Sequence, residues 1–209
     1  KLRRSPRTTP RPQPPSNRPM ARTPSTQRLP LGQAVPDFTL PDAAGKTHRL
    51  ADLSRGRPTV VVFACNHCPY VIHVRDAFGR IAREFQAKGV SFVAINSNDA
   101  IQYPDDAPAL MPAFAKTGGW NFPYLVDENQ LVAKAWHAAC TPDLFVLDAA
   151  GNLAYAGQFD SSRPGNGEPV DGRDLRATLE ALLANRPVPA PQKPSLGCNI
   201  KWKPGNGPK

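Results

Sequence analysis

Cys65 and Cys68 lie three residues apart in Phe63-Ala64-Cys65-Asn66-His67-Cys68-Pro69-Tyr70-Val71, a spacing that suits reversible disulfide chemistry. The segment follows the apolar run Thr59-Val60-Val61-Val62-Phe63 and precedes a helical pattern. A cysteine at such a junction meets the unpaired N–H groups and positive dipole end of a helix, which stabilise a thiolate and lower its pKa below the free value of about 8.5. Proline is favoured at the first helical position, so Pro69 sets the register and puts Cys68 at the N-cap. Cys65 then falls in the loop leaving the strand. Residues i and i+3 of a turn stand under about 7 Å apart, within disulfide reach, which makes Cys65 the resolving thiol for a Cys68 nucleophile.

Around this pair stand further candidates. His67, between the cysteines, is read as a substrate-binding residue that once protonated would lower a neighbouring thiol's pKa, with an exposed loop imidazole as the equal alternative. Cys140-Thr141-Pro142 carries a third cysteine, read either as an alternative resolving thiol or as a packed core residue. Cys198 reads first as an exposed thiol in a flexible tail and second as a distant resolving cysteine, and Arg163 first as a solvated loop arginine and second as a guanidinium placed near the thiolate. His73 and His137 read as surface or packing residues. The alternative to redox chemistry is a metal-binding or metallochaperone module, with Cys65, Cys68, His67 or His73, and Cys140 as tetrahedral ligands of zinc or copper. A non-catalytic interaction domain is the bland reading.

The elements that must position these groups follow from periodicity. Thr59–Phe63, Val90–Ile95 and Leu144–Leu147 are β-branched or aromatic runs of strand length. Between the first two, Val71, Val74, Phe78, Ile81 and Phe85 recur at helical spacing over Tyr70–Lys88, and Gly89 supplies the stop. Asp106 and Pro108 open a shorter helix through Lys116 that Met111-Pro112 should kink. A third helix is expected over Asn129–Trp136. Asp148–Asn152 joins Leu144–Leu147 and Leu153–Ala156 as a hairpin, and a final helix over Asp171–Asn185 presents Leu175, Leu179, Leu182 and Leu183 on one face. This order predicts an α/β fold, a central mixed β-sheet flanked by helices.

The ends differ in character. Residues 1–30 hold eight prolines and no apolar period, so they read as a disordered, basic, Pro-rich segment before a domain at 31–185. Met20 leads directly into the domain, so residues 1–19 read as an upstream extension or fragment end, with a transit peptide as the second reading. Residues 186–209 return to Pro, Gly and Lys and read as a tail outside the core. The net charge of +9 divides unevenly, because residues 1–28 carry eight basic side chains and no acidic one. Residues 29–185 hold 13 basic and 17 acidic side chains, so the cations lie in the Pro-rich ends and argue against nucleic-acid binding. No stretch approaches the roughly 20 apolar residues of a membrane span, and no secretory leader is evident. A cytoplasmic protein with reduced, chemically active thiols is expected.

Several separated motifs then converge. Gln33-Ala34-Val35-Pro36-Asp37-Phe38-Thr39-Leu40 with Asp42-Ala43-Ala44-Gly45-Lys46, then Asn66-His67-Cys68-Pro69, then Thr141-Pro142 before Leu144–Asp148 resemble the peroxiredoxin-like thioredoxin group of redoxins (AhpC-TSA type). The resemblance covers roughly residues 31–185, and Gly197–Lys203 is also similar. It implies a thioredoxin-like fold, thiol-disulfide exchange or hydroperoxide reduction, and no organic cofactor. It also implies a cis proline at Pro142 whose preceding backbone at Thr141 binds a substrate strand. The implied partners are a disulfide-bearing protein or a hydroperoxide, and a dithiol reductant such as thioredoxin. The chain departs from both parent patterns. Cys68 takes the place of the first thioredoxin cysteine, with Val71 where the second would stand. Cys65 occupies the position at which peroxiredoxins place a threonine to shape the peroxide pocket.

Overall fold

The computed structural model describes residues 22–26 and 29–207. In chain order the elements are β1 (Thr23–Pro24), β2 (Thr39–Pro41), β3 (Thr47–Arg49), α1 (Leu50–Ser54), β4 (Thr59–Phe63), α2 (Pro69–Gln86), β5 (Ser91–Asn96), α3 (Met111–Thr117), β6 (Tyr124–Val126), α4 (Leu131–Ala135), β7 (Cys140–Thr141), β8 (Asp143–Leu147), β9 (Leu153–Gly157), α5 (Arg173–Leu183) and β10 (Leu196–Asn199). None of these helices is long and apolar enough to cross a membrane.

Five strands form the central sheet in the order β6-β5-β4-β8-β9. β4, β5 and β6 run parallel, whereas β8 is antiparallel to β4 and β9 to β8. The sheet is buried on both faces, and the period of two in β4 sorts its side chains between two cores. Val60 and Val62 pack with Phe78, Phe85 and Leu175 of α2 and α5. Val61 and Phe63 pack with Leu50, Ala133 and Trp136 on the opposite face. All five apolar residues that predict the crossover helix are buried on α2. Each full burial contributes roughly 1.5–3 kcal/mol, so this stripe fixes α2 against the sheet and its N-terminus beside the end of β4.

Some expectations are corrected. The second helix does not begin at Asp106: two 3-10 turns, Pro104–Asp106 and Pro108–Leu110, precede α3. Pro112 does not kink α3, because it sits in its first turn, where no N–H is needed. The short strand β6 escapes sequence reading because three residues carry no periodicity. The segment 186–209 is not a tail outside the core. β10 pairs antiparallel with β7 and with β1, and Ile200 is fully buried. Of the segment 1–30, most lies outside the described residues, but Thr23–Pro24 is a strand paired to β10 and so does not fit a disordered terminus.

Candidate functional site

The site lies where β4 ends, α2 begins and the β7–β8 loop returns. Cys68 is the N-cap of α2 in extended backbone (φ −67°, ψ 120°), and Pro69 occupies the first turn. Cys65 and Cys68 are both buried, at 1% and 0% exposure. As a thiol, Cys68 donates to the Thr141 carbonyl at 3.1 Å. Burial opposes its ionisation, but hydrogen bonding from Cys198 and Cys65, the Thr141 side chain and the Val71 N–H outweighs burial and lowers its pKa. Cys65 is pushed the other way, by its interaction with Cys68, by burial and by the Asp106 charge. The two thiols therefore divide into a nucleophile and a proton-bearing partner, the division that attack and resolution require.

The loop between the cysteines is held by Asp106. Its Oδ1 accepts the backbone N–H groups of Asn66 and His67 at 2.8 and 3.2 Å, and its Oδ2 accepts His67 Nδ1 at 2.6 Å and Asn98 Nδ2 at 2.7 Å. The Asp106 hydrogen bond raises the His67 pKa above its ordinary value. Burial would raise the Asp106 pKa, but the bonds from His67 and Asn98 prevail and lower it. The imidazole stacks on Tyr103 at 5.9 Å between ring centroids. Tyr124 adds a brace, its hydroxyl donating toward the Ala64 carbonyl at 3.3 Å and lying 3.2 Å from Asn66 Oδ1. Neither Asp106 nor Tyr124 carries a sequence signal for this role. Asp106 is 39 residues from His67, and its neighbour Pro108 suggests only a helix start.

Thr141 and Pro142 join through a cis peptide. Thr141 Oγ1 lies 3.5 Å from Cys65 Sγ, so the hydroxyl faces the thiol pair. The Thr141 backbone, expected to wait for a substrate strand, is instead opposite Cys198 of β10. Cys198 is therefore not an exposed tail thiol. It is 9% exposed, and its thiol acts on Cys68. Sequence reading ranks this placement second because the composition of 186–209 marks the segment as tail.

Cys140 is fully buried, its thiol 3.6 Å from the Pro142 carbonyl, and burial raises its pKa; of the two readings the structure favours the packed residue. Arg163 is half-buried and held by hydrogen bonds rather than free in solvent. It donates to the Asp160 and Ser162 carbonyls and to Gln158 Oε1, at 2.7, 2.6 and 2.6 Å. With His73, Tyr70 and Pro142 it lines a groove of about 280 Å³ beside β10. Among the described residues, the ligand atoms that gather closely enough for a metal ion belong to Cys65, His67 and Asp106. Cys68, His73 and Cys140, part of the expected ligand set, do not join them. His67 and Asp106 already bind each other, which disfavours a ligand role for either.

Residues 31–156 match the model of the AhpC/TSA family. A solved structure from Geobacillus kaustophilus, described as an uncharacterized conserved protein, is 52% identical, covers 90% of this chain and 99% of its own, and superposes with a TM-score of 0.86. Peroxiredoxin Q, chloroplastic, from Populus jackii is 33% identical over 63% of this chain and 62% of its own length. The thiol-disulfide oxidoreductase ResA of Geobacillus thermodenitrificans is 27% identical over 59% of this chain and 66% of its own. The chain thus spans just under two thirds of the length of these curated relatives. The architecture is thioredoxin-like.

Proposed function

The chain belongs to the AhpC/TSA family, and from that premise we propose that it is a thiol-dependent oxidoreductase with Cys68 as nucleophile and Cys65 as a resolving thiol. The observation that carries this reading is the place of Cys68 at the N-cap of α2, with Cys65 in the loop behind it and Cys198 on the strand paired with Thr141, surroundings whose hydrogen bonding lowers the Cys68 pKa. Burial alone would raise a thiol's pKa, so donors that reverse it mark a group built to ionise.

A small hydroperoxide is the oxidant the geometry favours. Cys68 is fully buried, and the backbone beside it at Thr141 is already paired, so an extended polypeptide has no free edge to join there. The Cys68 thiolate attacks the peroxide oxygen, the O–O bond breaks, and a proton converts the departing alkoxide to an alcohol. Cys68 is left as a sulfenic acid. The Cys65 thiol attacks that sulfur, and a Cys65–Cys68 disulfide forms as water leaves. A dithiol donor of the thioredoxin kind then reduces the disulfide by two exchanges. Such a cycle belongs in a reducing compartment, in keeping with a cytoplasmic location.

Hydroperoxide consumption and insulin disulfide reduction, both driven by a thioredoxin system and measured on one preparation, test the reading. Peroxide consumption should dominate and vanish in Cys68→Ser. Faster insulin reduction would replace the hydroperoxide with a protein disulfide as substrate, and full activity in Cys68→Ser would remove Cys68 from the mechanism.

A further inference from the structure

Cys198 is held over the nucleophile by a strand anchored at both ends. On its N-terminal side, Ser195 Oγ donates to the Gly157 carbonyl at 2.7 Å and accepts the Leu144 N–H at 3.3 Å. On its C-terminal side Ile200 is fully buried, the Lys201 N–H donates to Asn98 Oδ1 at 2.9 Å, and the Lys201 carbonyl accepts from Asp99 N–H and from Gln130 Nε2. Between these anchors β10 pairs Cys198 with Thr141 and Asn199 with Cys140. Gly197 permits the approach, because a Cβ there would meet the Thr141 carbonyl oxygen at 2.0 Å.

An extended polypeptide that adds to a strand by backbone pairing presents its side chains to whatever stands beside the pairing edge. Here the edge is Thr141 and the reactive group beside it is Cys68. β10 therefore fills the place of a bound substrate strand, with a cysteine where a substrate's sulfur would be. The arrangement is more than one buried thiol, since Cys198 both pairs across Thr141 and interacts with Cys68 Sγ.

We propose that Cys198 is a second resolving thiol, which closes a Cys68–Cys198 disulfide on oxidised Cys68 in competition with Cys65. This deepens the hydroperoxide reading and rests on it for the oxidant. Attack of Cys198 sulfur on the Cys68 sulfenic sulfur forms the S–S bond and breaks the S–O bond. The hydroxide leaves as water with the proton that Cys198 gives up. Two exchanges with an external dithiol return both thiols and leave the donor as a disulfide.

The test is disulfide mapping by mass spectrometry after alkylation and non-reducing digestion, on the full chain treated with hydrogen peroxide or, separately, with diamide. With peroxide, the wild type should yield a Cys68–Cys198 peptide alongside Cys65–Cys68. The Cys65→Ser variant should yield Cys68–Cys198 as its main product, and Cys198→Ser should lose it. Dimedone-trapped sulfenic acid at Cys68 should accumulate in the Cys65→Ser/Cys198→Ser double variant and not in Cys65→Ser. Circular dichroism confirms that each variant is folded, and Cys198→Ala provides a second variant should the serine perturb the strand. Persistent sulfenic acid in Cys65→Ser with no Cys68–Cys198 peptide overturns the proposal while leaving the peroxide reading intact. A Cys68–Cys198 peptide formed with diamide and not with peroxide upholds the pairing and overturns the peroxide reading. Absence of the peptide under both oxidants overturns the pairing.

Discussion

Replacing Asp106 with Asn keeps the side chain's shape and removes its charge. Oδ1 can still accept the N–H groups of Asn66 and His67. The new amide, however, faces His67 Nδ1 and Asn98 Nδ2, two donors that the carboxylate Oδ2 accepts at 2.6 and 2.7 Å. Hydrogen bonds to a charged group contribute about 1.5–3 kcal/mol each, and a neutral His67 that accepts from the new amide recovers about 1 kcal/mol. Asp106 is fully buried and the His67 side chain is 27% exposed, so solvent weakens the pair only on the His67 side. The expected net loss at pH 7 is about 2 to 5 kcal/mol.

The pH dependence has a definite sign. His67, with its pKa raised, contributes stability below its unfolded value of about 6.5 that fades as pH rises through the folded value. Asp106, with its pKa lowered, contributes stability above its unfolded value that fades as pH falls through the folded value. The pair therefore acts most strongly between those limits, and Asp106→Asn should lose more stability at pH 5.5 than at pH 9. Urea unfolding of both proteins at the two pH values measures this, and NMR titration should show the His67 midpoint falling in the variant. A folded variant whose urea midpoint and His67 midpoint both match the wild type would refute the assignment of Asp106 as the brace of the cysteine loop.

Gly197→Ala should loosen β10, since the added Cβ would strike the Thr141 carbonyl. A stability loss of roughly 1–3 kcal/mol is expected, together with faster iodoacetamide labelling of Cys68, and unchanged labelling would show that β10 does not guard the thiol. Fully buried Asp143 has its pKa raised to about 6, mainly by burial, so it should cost stability as pH rises from its ordinary 3.8 through that value, by about 3 kcal/mol. Urea midpoints from pH 4 to 7 should fall more steeply in the wild type than in Asp143→Asn, and parallel profiles would contradict this. In thiolate absorbance near 240 nm, the low-pH step should vanish in Cys68→Ser and persist, at higher pH, in Cys65→Ser. The reverse pattern would exchange the roles of the two cysteines.

By itself the sequence determined what is local. The apolar run Thr59–Phe63, the helical stripe from Val71 to Phe85 and the proline after Cys68 are short-range signals, and they suffice to put Cys68 at a helix start with Cys65 in the loop behind it. The hairpin of β8 and β9 and the helix α5 were legible for the same reason, since side-chain period and turn residues act over a few positions. Only tertiary structure decided what surrounds the thiols. Asp106 reaches the cysteine loop across 39 residues because β5 lies beside β4 and its following loop folds over the strand ends. Cys198 reaches Thr141 from the far end of the chain because backbone pairing and the buried anchors around it offset the entropy of ordering a Pro- and Lys-rich segment whose composition argues for disorder. Composition averages over a segment, whereas burial depends on the partner each residue finds, and the partners of Asp106 and Cys198 are set by the sheet order.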